Sequence, residues 1–255
     1  MEVSNTYVWQ VDNKRNNNHL LPSNIRGLII GKSNSGKTVV LLNLLLQGGY
    51  LDYNHLYIFG KSLHQKEYKI IRKGFEKGLS KQEISNLFQN QDKIKQLNIN
   101  PDDLIEQYEA NNQNINATFF EDCNDIPDPS ELNENNKNVM VFDDCILEKQ
   151  SKADAYYMRG RHNNIDCFYI SQNYFLLPRK TIRENSNFII IYPQDAKNIT
   201  HIYQDHCTDI DFKEFKHFCK LCWTHKYNFV TIDLTSHKLD GKYRCNFDMF
   251  YIPET

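Results

Sequence analysis

The residues best equipped for chemistry sit near the start of the chain. Gly31-Lys32-Ser33-Asn34-Ser35-Gly36-Lys37-Thr38 fits the spacing G-x-x-x-x-G-K-[ST]. That spacing suits phosphate binding. Successive backbone N–H groups of a glycine-containing loop wrap an anion, and the positive end of the following helix adds to the attraction. Lys37 is placed to reach β- and γ-phosphates, and the Thr38 hydroxyl to hold Mg²⁺. The candidate residues for binding a nucleotide, ATP or GTP, are therefore Gly31, Ser33, Asn34, Ser35, Gly36, Lys37 and Thr38.

A second chemical element is Asp143-Asp144, at the end of the apolar run Val139-Met140-Val141-Phe142. The first carboxylate would bind Mg²⁺ beside Thr38, and the second would point at the γ-phosphate and polarise the attacking water. Glutamate is commoner in the second place, but the chemistry requires only a carboxylate. The same pair also reads as a strand end where Asp144 caps a helix over Cys145-Ile146-Leu147-Glu148. Ser171-Gln172 ends the next apolar run, and Gln172 is a candidate γ-phosphate sensor or else part of an ordinary turn. Arg159-Gly160-Arg161-His162 lies between these two elements. Arg159 or Arg161 would stabilise transition-state charge on a neighbouring subunit's nucleotide, or the stretch is a solvated basic turn. Arg179, Lys180 and Arg183 follow as candidate interface or DNA-phosphate contacts.

These groups need a scaffold that brings them together. Leu28–Ile30, His55–Phe59, Val139–Phe142, Cys167–Ile170, Phe188–Tyr192 and Phe229–Ile232 read as short buried strands, and Ala117–Phe120 as an edge strand. Val39–Leu46 reads as a helix ended by Gly48-Gly49, and Lys61–Lys81 as a basic amphipathic helix. That basic helix is either a nucleic-acid surface or a solvated face. Pro101–Glu109 reads as a helix with proline in its first turn, and 124–137 as a polar loop. Apolar strands alternating with helical or basic connections predict an α/β fold with a mostly parallel central sheet flanked by helices. Ligands of such sheets sit at the carboxyl ends of the strands, where Thr38, Asp143 and Gln172 would converge. The expected organisation is an N-terminal arm over 1–25, an ATPase domain over 26–235 with a helical, partly basic insertion at 61–115, and a tail at 236–255 packed on the core.

Composition narrows the alternatives. A formal net charge of −2 excludes a polycation, so nucleic acid would be met through local patches. Seven cysteines without a framework spacing suggest free thiols in a reducing compartment. Cys219-x-x-Cys222, near His201, His206, Cys207, His217 and His225, is half of a zinc pattern or a pair of packed thiols beside Trp223. The N-terminus has no signal-peptide core, and no apolar run is long enough to span a bilayer. No N-K-x-D sequence is present to hold guanine, and Asn136-Lys137-Asn138-Val139 lacks the acid.

The order of these elements resembles a family, the FtsK/HerA-type genome-packaging ATPases of large DNA viruses, virophages and Polinton (Maverick) elements, with the poxvirus packaging ATPase a distant relative. The resemblance is carried by Gly31–Thr38, by Asn138–Asp144, by Tyr157–Tyr174 with its run G-R-H-N-N before a strand and S-Q after it, and by Pro178–Phe188. Cys222-Trp223 and Tyr227–Asp233 extend it, so that it covers about 26–251. The resemblance implies a RecA-like P-loop core in a homo-oligomeric ring. It also implies ATP and Mg²⁺ bound between subunits and double-stranded DNA threaded into a preformed capsid at a vertex or portal. Lys37, Thr38, Asp143, Asp144, Gln172 and Arg161 or Arg159 would take the roles given above. The implied location is the host cytoplasm or nucleus where virions assemble, with transient residence on the capsid.

Three other readings compete with this one. A cellular-type DNA pump or helicase shares fold and site. A small-molecule kinase shares the loop, but the acid pair and strand-end Gln172 argue against it. A nucleotide-bound interaction protein without turnover is kept open by aspartate at 144.

Overall fold

The computed structural model describes residues 17–89, 105–106 and 115–253. Most of the N-terminal arm, including Tyr7-Val8-Trp9, and most of the helix expected over Pro101–Glu109 lie outside the described residues. Of the latter, Ile105 and Glu106 are helical.

The strands are β1 (Arg26–Ile30), β2 (His55–Gly60), β3 (Asn116–Phe120), β4 (Asn138–Asp143), β5 (Ile165–Ser171), β6 (Phe188–Ile191), β7 (Val230–Asp233), β8 (Tyr243–Cys245) and β9 (Met249–Tyr251). They form one sheet in the order β3-β2-β4-β5-β1-β6-β7-β8-β9. Neighbours from β3 across to β6 pair in parallel, and β7, β8 and β9 continue antiparallel. Residues beyond 235 thus supply the last two strands of the sheet. β3 forms the opposite edge, and its burial is only partial.

The helices are α1 (Lys37–Leu46), α2 (Lys66–Glu76), α3 (Lys81–Gln89), α4 (Ser151–Arg159), α5 (Ala196–His206) and α6 (Phe212–Cys222). They cover both faces of the sheet. Alternate strand residues such as Ile29, Ile58, Val141 and Ile170 pack with α1, α2 and α3. Their neighbours Ile30, Phe59, Phe142 and Tyr169 pack with α4, α5 and α6. Burial on both faces explains why the central strands read as unbroken apolar runs.

Local sequence sets several boundaries. The span 61–81 contains one helix and the start of another, because Gly78, with φ 78°, ends the first run. The alternative reading of Asp144 as the cap of a helix over Cys145–Glu148 does not hold; a turn occupies that stretch, and α4 begins at Ser151. The 124–137 loop contains a single-turn helix at Pro129–Glu131, where Asp128 and Glu131 make a capping box. Arg183, expected at an interface or on DNA, is buried instead. It pairs with Asp205 at 3.2 Å and lies over the Tyr174 ring.

Candidate nucleotide-binding and catalytic site

Strand order brings the chemical residues together. β4, β5 and β1 are adjacent and parallel, so the segments after Asp143, Ser171 and Ile30 leave the same edge of the sheet side by side. Two inter-strand spacings, about 10 Å, separate the acid pair from the phosphate loop, and Gln172 stands between them. Gln172 Nε2 donates to Asp144 Oδ2 at 3.1 Å, and Ser33 Oγ donates to Gln172 Oε1 at 3.1 Å. The strand-end glutamine thus links the two other elements.

The loop is shaped to receive an anion. Gly36 (φ 108°) and Asn34 (φ 59°) take left-handed backbone conformations, and Gly36 caps α1. Gly31 has no room for a side chain: an added Cβ would lie 2.4 Å from Ser35 Oγ and 2.9 Å from Tyr192 Cβ. Ser35 Oγ is buried without a hydrogen-bond partner among the described residues. A buried hydroxyl left so is costly, and a phosphate oxygen in the loop would satisfy it. The Lys37 ammonium donates to Gly31 O at 2.7 Å and Lys32 O at 2.9 Å, folded over the loop. Burial lowers its pKa, and Asp144 and Asp143 oppose that shift.

The two carboxylates differ in environment. Asp143 is buried, and the Tyr68 hydroxyl of α2 donates a hydrogen bond to its Oδ2. Burial raises the Asp143 pKa; the Tyr68 hydrogen bond opposes this, the Asp144 charge adds to it, and Lys37 opposes it. Asp144 is exposed at φ 48°, a left-handed conformation that turns its side chain away from the strand direction. Thr38 is half-buried in the first turn of α1. Asp143 and Thr38 are hard oxygen donors of the kind Mg²⁺ takes, along with waters and substrate phosphates. The sequence had shown Tyr68 only as an apolar-face residue of a basic helix. Tyr192, whose hydroxyl donates to Gly36 O at 3.0 Å, had appeared only as the end of a strand.

The arginines are elsewhere. Gly160–Asn163 precedes β5, so Arg159 and Arg161 lie at the opposite edge of the sheet from Gln172, one strand length (about 20 Å) away. Arg159 pairs with Asp128 at 2.9 Å. Arg161 shares a polar hollow with Arg26, His162 and Asn187. Within one chain neither guanidinium meets the phosphate loop. Cys219 and Cys222 are free and buried, and no group of three potential metal ligands occurs among the described residues. No helix among them is long and apolar enough to cross a membrane.

Neither a known family model nor a curated protein matches this sequence. Solved structures do match its fold. The genome packaging NTPase B204 of Sulfolobus turreted icosahedral virus 2, in complex with sulfate, aligns with a TM-score of 0.51 and 12% identity over 89% of this chain and 97% of that one. The same protein in complex with AMP aligns with a TM-score of 0.50 and 11% identity over 89% of this chain and 98% of that one. At such identities the likeness is one of fold, and the fold is a RecA-like P-loop core.

Proposed function

We propose that this protein is an ATPase that drives double-stranded DNA into a viral or virus-like capsid. The observation that carries the ATPase reading is the hydrogen-bonded path from Ser33 through Gln172 to Asp144, beside Lys37 and the buried Asp143. A phosphate loop alone would suit any nucleotide-binding protein. A polar side chain joining the loop to an exposed carboxylate is suited to placing a water against a γ-phosphate and registering its loss.

In this reading the loop N–H groups, Ser35 Oγ and Lys37 hold the phosphates. Asp144 accepts the proton of the attacking water, and Gln172 orients that water. Thr38 and Asp143 would hold Mg²⁺, which when bound neutralises charge on the β- and γ-phosphate oxygens. Arg161, with no carboxylate partner among the described residues, unlike Arg159 with its Asp128, is the better candidate to act on a second copy's nucleotide. That role requires a homo-oligomeric ring, since the guanidinium lies at the far edge of its own sheet. The packaging role is supported by the fold shared with the viral B204 NTPase and by the G-R-H-N-N and S-Q sequence block.

The test is phosphate release from ATP with and without long double-stranded DNA. Release stimulated by DNA and reduced at least about a hundredfold in Lys37→Ala is expected. Undiminished hydrolysis in Lys37→Ala would refute the site. ATP bound without turnover would favour a nucleotide-dependent interaction protein.

A further inference from the structure

Because β7 runs antiparallel to β6, Val230 pairs with Ile191, and the turn before β7 faces the same edge as the phosphate loop. β8 reverses again and pairs Cys245 with Val230, so the turn after β8 returns to that edge as well. With α1 these turns enclose a hollow of about 900 Å³ that opens beside Gly36, Lys37 and Thr38.

One wall is aromatic. Tyr192, hydrogen-bonded to Gly36, has its ring 5.6 Å from Phe229; Phe229 is 5.0 Å from Phe247, and Phe247 is 5.3 Å from Tyr50. The charges lining the hollow are also unequal in use. Lys37 belongs to the phosphate loop, whereas Glu67 and Asp248 would repel phosphate from the remaining surface. An occupant anchored by its phosphates at Lys37 would therefore set an uncharged, planar portion against the rings.

Tyr227, at the rim of this hollow, adds an independent sign. Its backbone is left-handed, at φ 72°, yet its side chain is 57% exposed. Burial does little to offset that strained backbone, and a glycine or asparagine would fit with less strain. Tyr227 sits in a turn closed by Asn228 N donating to His225 O at 3.2 Å, and backbone strain of this kind clusters at ligand-binding and active sites. Lys226 lies 4.7 Å from the centroid of this exposed ring, a cation–π contact that marks the ring's electron-rich face as able to take a ligand.

We infer that Tyr227 is the stacking platform for the purine base of the bound nucleotide, with the hollow it shares with Phe247 as the base subsite. The inference rests on the phosphates sitting in the Gly31–Thr38 loop. It separates the part of the chain that binds phosphate, in the parallel half of the sheet, from the part that recognises the base, in the antiparallel extension.

The test compares binding of ATP and of inorganic tripolyphosphate to the full chain by calorimetry, for the wild type, Tyr227→Phe, Tyr227→Ala and Tyr227→Gly. Loss of stacking should weaken ATP roughly 5- to 100-fold in the alanine and glycine variants, with tripolyphosphate affinity unchanged and the phenylalanine variant close to wild type. Tyr227→Gly should unfold at the same or a higher temperature than wild type, because glycine relieves the left-handed strain. Lost affinity in that variant would then not reflect lost folding. Unchanged ATP affinity in the glycine variant would overturn the inference, as would equal weakening of ATP and tripolyphosphate. If the wild type binds neither probe, the nucleotide reading itself fails, and the base subsite with it.

Discussion

At the scale of single residues, the site depends on side chains that carry no motif. Tyr68 belongs to α2, yet its hydroxyl is the hydrogen-bond donor to Asp143 in a buried setting. Removing that hydroxyl leaves a buried carboxylate oxygen without its donor, which costs about 1–3 kcal/mol. Tyr68→Phe is expected to lower unfolding stability by that amount and to raise the Mg²⁺ concentration needed for half-maximal ATP hydrolysis. Denaturant titration and a Mg²⁺ series at saturating ATP check the two effects. A variant with wild-type Mg²⁺ dependence would leave Tyr68 a packing residue. Gly31 shows the converse, a motif residue whose identity follows from contact with Ser35 and Tyr192.

Among the elements, the edge of the sheet opposite the site is fastened by buried charge. Lys137, just before β4, pairs with Asp166 of β5 at 2.9 Å, and both side chains are excluded from solvent. Asp166 also accepts hydrogen bonds from Ile25 N at 2.7 Å and Asn17 Nδ2 at 2.8 Å. The cluster therefore sets the register between β4 and β5, and with it the meeting of Asp144 and Gln172 at the other end. Lys137→Met would strand a buried carboxylate at a cost of about 3–5 kcal/mol. Its melting temperature should fall by roughly 10 °C, and adding Asp166→Leu should recover most of the loss, because a matched apolar pair removes the stranded charge. Failure of the double variant to recover would mean that hydrogen bonds from Asn17 and Ile25, rather than the ion pair, hold this edge.

For the whole molecule, stability should depend on mild acid through His206. This histidine ends α5, with its Nε2 2.8 Å from the Tyr174 hydroxyl, and burial pushes its pKa down to about 4, against the pull of Asp205 and with the push of Lys242 and Arg183. In the unfolded chain it takes a proton near 6.5. Between these values the unfolded state binds more protons, so stability is full above about pH 6.5 and falls as pH drops toward 4. The slope from this one group is at most about 1.4 kcal/mol per pH unit. Denaturant titrations from pH 4.5 to 7 should show a shallower acid limb in His206→Gln than in wild type. An unchanged limb would assign the acid sensitivity to other groups.

The sequence by itself determined which residues are candidates for chemistry, and most of the strands. The Gly31–Thr38 spacing, the carboxylates at the end of β4 and the polar end of β5 are legible because a phosphate loop and buried parallel strands impose short-range patterns. It could not decide which strands become neighbours. Ser33, Gln172 and Asp144 are far apart in the chain, and only the order β4-β5-β1 places them within hydrogen-bond reach. Nor could apolar pattern tell direction. Phe229–Ile232 reads like the other buried strands, but its antiparallel course sends Asp233 to the far edge, where it pairs with Arg244 at 2.6 Å, and places Tyr227 on the hollow that opens beside Gly36 and Lys37. Tyr68 on Asp143, Lys137 on Asp166 and Arg183 on Asp205 belong to the same class of decision. Each joins residues whose partner is set by packing across the sheet, and a single chain of letters carries no record of that distance.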